Sequence, residues 1–493
     1  MKQRDIAFEE HEQRPDAIVI GSGAGGSTLA YQLSQHGLRV LVIERGDFLR
    51  PDGSAAVGRY MYHIVRNGGE TSGFVGGETK FYGAALYRMR ESDFTAVEHE
   101  NGISPAWPIS YSDLEPYYEQ AEKLYRVHGV AAGDPSEPRR AGSFPHPPIE
   151  HAPIVAKLVK RLERTGTPVS AIPRGLDYGP EGKCVLCSTC DGHYCQIDAK
   201  MDAEIAALRP ALATGNVRLM TKANCVRVLT SRHGSRVTGV LVQHLERERE
   251  IHADVVAVCA GLWGSASLLR RSRTQRHPEG LGNATGCLGR YLAGHSAGFV
   301  FPLGGWKRLP PTHTKTFAIN SYYHGAPGWR YPCGVIQVSG QMPFWEGAPK
   351  LMRPIVRFIG MRAIICFYMT EALPTRETGL MFQGDEIVSC APPIHNLKTF
   401  NKLHDFAVDA FRRAGYFVIA RRRTPLVWHE VGTTRFGDNP ATSVVDVNCQ
   451  VHGIEGLFVV DASVLPSAGA VNTALTIIAL ALRAGNHISR SLS

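Results

Sequence analysis

Two sets of residues in the chain have the types and spacing to do chemistry. The first is Gly21-x-Gly23-x-x-Gly26, with Glu44 beyond it. Glycines at this spacing let backbone approach a pyrophosphate closely. An acid some twenty residues on is placed to accept hydrogen bonds from a ribose hydroxyl. The second set is Cys184-x2-Cys187-x2-Cys190-x4-Cys195. It approaches ferredoxin spacing, but the last gap is longer and Gln196 stands where proline usually follows. Four thiolates could also hold zinc, although structural zinc sites usually come as two separated pairs.

The glycines need particular elements around them, and the sequence provides these. An apolar run, Ala17 to Ile20, leads straight into Gly21. A helical pattern follows (Leu29, Ala30, Leu33), and a second apolar run from Val40 to Ile43 ends at Glu44. This is a β-α-β unit with the dinucleotide fingerprint in its required context, the pyrophosphate charge resting at the helix N-terminus. FAD and NAD fit it equally well.

Further along, a glycine-rich segment from Gly68 to Gly83 suits backbone lying against a flat ligand. Trp107 to Tyr125 reads as a helix entered through Ser112, and residues 131–150 as a surface excursion rich in proline and charge. Short apolar runs at Val217–Met220, Cys225–Leu229, Gly239–Val242 and Asp254–Val258 are of strand type. The last meets Ala260-Gly261 and a helix from Ser265 to Arg270. From about 300 to 425 the pattern becomes irregular strands carrying Trp306, Phe317, Tyr322, Trp329, Phe344 and Phe367, a candidate substrate domain. Gly456 to Val460 then leads to Asp461 and an uncharged helix. The expected fold is α/β, with a Rossmann-like dinucleotide domain built from segments 14–130, 200–300 and 426–493. Residues 131–199 form a cysteine-containing excursion, and 301–425 an inserted antiparallel-sheet α+β domain.

With 493 residues the chain exceeds one simple domain. Its net charge of +9 is moderate for that length. The densest basic clusters, Arg270-Arg271-x-Arg273 to Arg276 and Arg421 to Arg423, are short and lack interleaved aromatics. They read as solvated surface, which excludes nucleic acid as a partner. The N-terminus is charged through Arg14 and offers no apolar run of signal-peptide type. Ser467 to Leu482 is free of charge but shorter than a membrane span, and it contains Asn472, Thr473 and Thr476. A buried helix is expected there, no membrane partner, and a cytoplasmic location in which the eleven cysteines stay mostly reduced.

Taken together, these blocks resemble the glucose–methanol–choline (GMC) family of FAD-dependent oxidoreductases over nearly the whole length. The resemblance rests on the fingerprint with Glu44, and on Gly76-Gly77-Glu78-Thr79-Lys80-Phe81-Tyr82-Gly83 ending at Arg88. It continues through Ala260-Gly261 and Leu288-Gly289-Arg290-Tyr291-Leu292-Ala293-Gly294-His295. It closes with His429-Glu430-Val431-Gly432-Thr433 and Asp461 to Pro466 followed by Asn472. The chain is most similar to the sugar-oxidising, pyranose oxidase-like branch, some relatives of which oxidise the primary alcohol of aminoglycoside sugars.

That resemblance implies oxidation of a sugar, glycoside or polyol hydroxyl to a carbonyl. His429 would take the hydroxyl proton, Asn472 would hydrogen-bond the substrate oxygen, and flavin N5 would accept hydride. The implied cofactor residues are Gly21, Gly23, Ala24, Gly25, Gly26, Glu44, Arg45, Gly77, Thr79, Tyr82, Gly83, Val226, Ala260, Gly261, Asp461, Ala462, Asn472 and Thr473. Gly77, Thr79 and Tyr82 would line the isoalloxazine ring, and Asp461 would reach the phosphate or ribityl region. Phe81 stands where covalent pyranose oxidases carry a flavin-bonding histidine, so the FAD is expected to be non-covalent. Thr473 replaces the family's usual proline. His295 and His452 are expected to be structural.

No metal ligand is assigned. Similar cysteine-rich turns occur in such flavoproteins without a metal, while some GMC dehydrogenases carry an iron–sulfur cluster. Thiols, a disulfide, a cluster and zinc therefore all stay open for the four cysteines. The electron acceptor is oxygen or a quinone-like carrier. An electron-transfer flavoprotein with an iron–sulfur relay and a lyase that uses FAD structurally are the competing readings.

Overall fold

The structure, a computed structural model, describes residues 14–49, 73–304, 308–310, 312–341, 345, 348–422 and 424–492. Residues 68–72 of the glycine-rich segment, the stretch before Arg14, Trp306, Phe344 and Arg423 lie outside them.

Five short strands form a fully parallel sheet in the order Leu457–Val459, Val255–Val258, Ala17–Ile20, Val40–Ile43 and Val217–Met220. Four of them are runs of apolar residues, as parallel strands covered on both faces require, while the edge strand Val217–Met220 carries Arg218 and is only partly buried. Ala17–Ile20, Val40–Ile43, Val255–Val258 and Leu457–Val459 are buried throughout. The helix Ala24–Gln35 covers one side and packs on the long C-terminal helix Ala474–Leu492. A Cβ at Gly485 would lie 2.7 Å from the Gln32 side chain, so glycine permits that close approach. This C-terminal helix starts at Ala474, later than the uncharged stretch suggests. Residues 467–473 form a buried loop whose backbone is held by side chains from elsewhere. Ala468 and Gly469 donate to Glu371 at 3.2 Å each, Ala470 donates to Tyr323 at 3.0 Å, and the Trp107 indole donates to Ser467 at 2.7 Å.

A three-stranded antiparallel sheet, Ala223–Thr230, Val237–His244 and Arg247–His252, lies beside the parallel one. A larger antiparallel sheet runs Phe417–Ala420, Ala293–Leu303, Cys366–Leu373, Val335–Val338, Phe317–Ile319 and Ser170–Ala171. Leu426–Val431 also pairs with Ala293–Leu303, and Ile394–His395 with Cys366–Leu373. Helix Leu397–Arg413 packs on this sheet. The α/β expectation therefore holds: a parallel nucleotide-type sheet joined to an antiparallel α+β layer.

The helix within Trp107–Tyr125 spans Tyr111–Leu124 and is capped by Ser110, two residues before the expected Ser112. Ser110 Oγ accepts from the Asp113 N–H at 3.3 Å, and the Asp113 carboxylate accepts from the Ser110 N–H at 2.8 Å. Ser112 also has an acid three residues on, Glu115, but that carboxylate accepts from Arg88 (3.0 Å) and from the Ala141 N–H (3.1 Å), so the reciprocal box forms at Ser110.

Candidate active site

Four segments of the fingerprint type end at one edge. Gly21, Glu44, Ala260-Gly261 and Asp461 each follow the carboxyl end of a parallel strand, where open α/β sheets bind their ligands. The glycines there have separate duties. A Cβ at Gly25 would sit 1.9 Å from the Val460 carbonyl oxygen, and one at Gly26 1.9 Å from that of Gly21, so both serve close packing. Gly21 has φ +101°, and its Cβ would sit 2.3 Å from the Cys259 carbonyl oxygen. Gly23, by contrast, faces open space, as does Gly261 with φ +76°. Gly77, with φ +55°, approaches Gly23 so nearly that its Cβ would lie 3.0 Å from the Gly23 Cα. The helix starting at Ala24 has no side-chain cap on Gly23 and no acid in its first turn. Its N–H groups are thus available to an anion. An uncapped helix start, an open glycine and a second glycine closing over it fit the pyrophosphate of a dinucleotide.

The remaining candidate cofactor residues are placed as follows. Glu44 Oε2 accepts from the Ser22 N–H (3.0 Å) and hydroxyl (2.6 Å), and Oε1 from the Gly46 N–H (2.9 Å). Arg45 is exposed next to it, and Val226 lies half-buried on the strand leaving the Glu44 edge. Thr79 Oγ1 donates to the Gly76 carbonyl (2.5 Å) and accepts from the Ala203 N–H (2.9 Å). The Tyr82 hydroxyl donates to the Met201 carbonyl. Gly83 lies away from the fingerprint: a Cβ there would meet Asp191 at 1.8 Å and Lys315 at 2.7 Å. The Ala260 N–H donates to Ser265 Oγ at 3.1 Å. The Asp461 carboxylate accepts from the Gly261 N–H and from the Ser265 hydroxyl on one oxygen, and from the Ser463 N–H and hydroxyl on the other. Its side chain therefore ties the fourth strand's end to the helix Gly261–Arg271. Ala462 opens the short 3-10 turn that follows, and the buried Thr473 carbonyl accepts from Ile477 N–H.

The second constellation comes from the antiparallel sheet. Leu426–Val431 pairs with Ala293–Leu303, but the register slips between Ala293 and His295. Both His429 and Glu430 then fall opposite Gly294, and His429 takes φ +50°. Such a bulge re-aims a side chain, and here it turns His429 toward His295. A Cβ at Gly294 would lie 2.9 Å from the Trp428 carbonyl oxygen, so only glycine tolerates the bulge opposite.

The hydrogen bonds around His429 fix its tautomer. A backbone carbonyl only accepts, so His295 Nε2, 3.0 Å from the Gly469 oxygen, carries a hydrogen. Burial pulls His295 down to about 4, so the ring is neutral and its Nδ1 is bare. That Nδ1 lies 2.9 Å from His429 Nδ1, which must therefore be the donor. Burial, with smaller contributions from His295 and Lys315, pulls His429 down to about 3, so this ring is neutral too and its Nε2 carries the lone pair. Asn472 Nδ2 donates to that Nε2 at 3.3 Å, and Gln337 Nε2 donates to Asn472 Oδ1 at 3.0 Å, which sets the amide's orientation. Gln337 Oε1 is buried with no partner. The chain of bonds leaves one basic atom, His429 Nε2, beside one amide donor, which is the equipment for deprotonating and holding an alcohol oxygen.

His295, expected to be structural, is in direct hydrogen-bond contact with His429. His452 sits apart, with Nε2 2.8 Å from Ser443 Oγ. Sequence reasoning also passed over Gln337 and Glu371. Glu371 stands opposite His295 on the neighbouring strand and holds the loop that carries Asn472. No motif marks either residue; only the sheet register brings them there.

Models of the GMC oxidoreductase family match residues 16–297 and 395–481 of this chain. Paromamine 6'-oxidase of Streptomyces fradiae is 30% identical over 511 residues, covering 97% of this chain and 92% of that protein. 6'''-hydroxyparomomycin C oxidase of Streptomyces lividus is 29% identical over 515 residues, with the same coverage of 97% and 92%. 2-Methyl-1,2-propanediol dehydrogenase of Mycolicibacterium austroafricanum is 26% identical over 542 residues, covering 97% and 96%. The crystal structure of pyridoxine 4-oxidase from Mesorbium loti aligns with a TM-score of 0.63 at 18% identity, over 96% of this chain and 99% of that one, a likeness of fold.

Proposed function

The chain belongs to the GMC oxidoreductase family of FAD-binding flavoproteins, which act on CH–OH groups, and we propose that it oxidises a hydroxyl of a sugar, glycoside or polyol to a carbonyl. The observation that carries this reading is the single basic atom, His429 Nε2, paired with the Asn472 amide. Relatives named as oxidases of paromamine and 6'''-hydroxyparomomycin C favour an aminoglycoside sugar alcohol within that class.

In this proposal the uncapped helix start at Ala24 and the open Gly23 hold the pyrophosphate, with Gly77 above them. Glu44 takes a ribose hydroxyl on its remaining lone pairs, and the segment Gly77 to Tyr82 borders the ring. Phe81 supplies no nucleophile, so the cofactor is held without a covalent bond. When bound, FAD supplies a two-electron acceptor for hydride.

The protein's own part is proton handling and orientation. The substrate hydroxyl takes the place of the Asn472 N–H at His429 Nε2, and its proton moves onto that atom. The resulting imidazolium keeps its Nδ1–H on His295, whose own ring lies in the favourable field of Glu371. Asn472, its amide held by Gln337, donates to the alcohol oxygen and so orients the carbon that loses hydride. The electron acceptor is oxygen or a quinone-like carrier. Among the described residues no helix is long and apolar enough to cross a membrane, and a cytoplasmic location completes the proposal.

An anaerobic visible spectrum of the purified protein, titrated with sugars, glycosides, polyols and aminoglycosides, tests this. Bleaching of the flavin band by one of these classes is expected. A flavin that none of them reduces would overturn the substrate reading.

A further inference from the structure

Between the strands Val335–Val338 and Cys366–Leu373 the chain leaves the sheet and forms a helix that the rest of the molecule hardly covers. A 3-10 turn, Lys350–Met352, runs into the helix Arg353–Gly360, and neither contains a buried residue. A surface helix ordinarily turns its apolar stripe to the core. Here the stripe faces outward: Leu351 is 89% exposed, Ile355 54% and Phe358 48%. Ile355 and Phe358 stand three apart and share a face, and Leu351, four residues before Ile355, continues it. The side turned to the protein is that of the half-buried Val356, Ile359 and Gly360, where a Cβ at Gly360 would lie 3.2 Å from the Trp345 ring.

Basic residues border the stripe. From residue 348 to residue 370 the chain carries Lys350, Arg353, Arg357 and Arg362 and no acid. The Arg362 guanidinium lies over the Phe358 ring, 3.6 Å from its centre. Arg353 and Arg357, four apart, run along the flank away from the apolar face.

This surface continues across the end of the large antiparallel sheet. Beyond the helix, Ala363 bridges to Leu303, and Leu303 pairs on its other side with Phe417, which is 71% exposed. The neighbouring Tyr416 ring takes the Arg161 guanidinium over its face at 5.2 Å. Arg161 belongs to the helix Pro153–Arg164, which carries Lys157, Lys160, Arg161 and Arg164 against one acid, Glu163. Those four cations line one groove. One end of the sheet thus presents exposed apolar side chains set among basic ones.

Exposed apolar side chains rimmed by charge mark a surface that meets a partner. A second copy would press these cations against their own kind across a two-fold axis, in a chain whose net charge is already +9. Anionic headgroups oppose them instead. We propose that this face docks on an anionic lipid surface. The helix Arg353–Gly360 lies in the plane of the headgroups, with Leu351, Ile355 and Phe358 among the acyl chains and the lysines and arginines on the phosphates. An amphipathic helix with cations beside its apolar face holds to a membrane in this way without crossing it. Lack of a spanning segment underlies the expectation of no membrane partner; a helix lying on the surface needs none. Docking of this kind is independent of which alcohol is oxidised.

The test is co-sedimentation of the full-length holoenzyme with vesicles of phosphatidylcholine containing about one-third phosphatidylglycerol. At low salt the protein should pellet with these vesicles roughly tenfold more than with phosphatidylcholine alone, and added salt should weaken the binding. The double variant Ile355→Asp, Phe358→Asp should lose roughly tenfold in vesicle binding while its flavin content, melting temperature and alcohol turnover stay unchanged. Lys157→Glu with Lys160→Glu should weaken the binding too. Leu245→Asp, at a 72% exposed residue on the hairpin tip of the three-stranded sheet, should not. No pelleting with the anionic vesicles overturns the proposal, as does equal binding to neutral ones or an equal loss in Leu245→Asp. A dimer by light scattering that the Ile355→Asp, Phe358→Asp variant splits into monomers would give the face to a second copy and overturn it as well.

Discussion

His295 meets His429 edge to face, their Nδ1 atoms 2.9 Å apart and their ring planes at 80°. The contact determines which nitrogen of His429 is basic, because His295 receives the Nδ1 hydrogen and so keeps Nε2 bare. His295→Leu should lower kcat by roughly 10- to 100-fold, less than the roughly 10²- to 10⁴-fold that a positioned general base contributes, since the base is misplaced and not removed. His295→Asn should recover most of that loss, since its amide can donate to Gly469 and accept from His429. Steady-state kinetics of both variants would check this; equal losses would mean that the contact is only packing.

Gln337 orients Asn472 through one 3.0 Å hydrogen bond. In Gln337→Leu the amide is free to flip, and KM should rise about tenfold with a smaller change in kcat, about one hydrogen bond's worth. An unchanged KM would remove Asn472 from substrate binding.

Neutral, buried histidines give the protein a definite response to acid. His295 and His429 are held down to about 4 and about 3, while an unfolded chain takes up those protons near 6.5. Below 6.5 the unfolded state therefore binds more protons, and stability falls as pH drops from 6.5 toward 4. One pKa step corresponds to about 1.4 kcal/mol, so the loss should reach several kcal/mol. Thermal melting from pH 8 to 4.5 would measure it. For the same reason kcat/KM should stay flat from pH 8 down to about 5; an acid limb near 6.5 would contradict a depressed His429.

Two neighbouring glycines separate packing from binding. Gly25→Ala would drive a Cβ to 1.9 Å from the Val460 oxygen and should prevent folding. At Gly23 the same methyl meets no protein atom within 4 Å, so Gly23→Ala should melt normally yet carry much less FAD. Flavin absorbance per chain, beside a melting curve, distinguishes the two. Full flavin content in Gly23→Ala would move the pyrophosphate elsewhere.

The nucleotide-binding half was legible because its signals are local. Four strands, their terminal glycines and acids, and the fingerprint helix are each encoded within a few residues. The partnership of His295 with His429 was not, since 134 residues separate them and a one-residue bulge aims one at the other. No periodicity reports a bulge, and Gly294 looks like any other glycine until the opposite strand is in place. The start of the C-terminal helix at Ala474 was hidden similarly: residues 467–473 are as apolar as a helix, but tertiary donors and acceptors hold them in a loop.

The most direct measurement is anaerobic stopped-flow reduction of the bound flavin in His429→Ala beside the unaltered protein, using whichever alcohol bleaches the latter. Full flavin content with reduction slowed roughly 10²- to 10⁴-fold is the predicted result. Reduction at an unchanged rate would show that His429 Nε2 is not the atom that takes the hydroxyl proton.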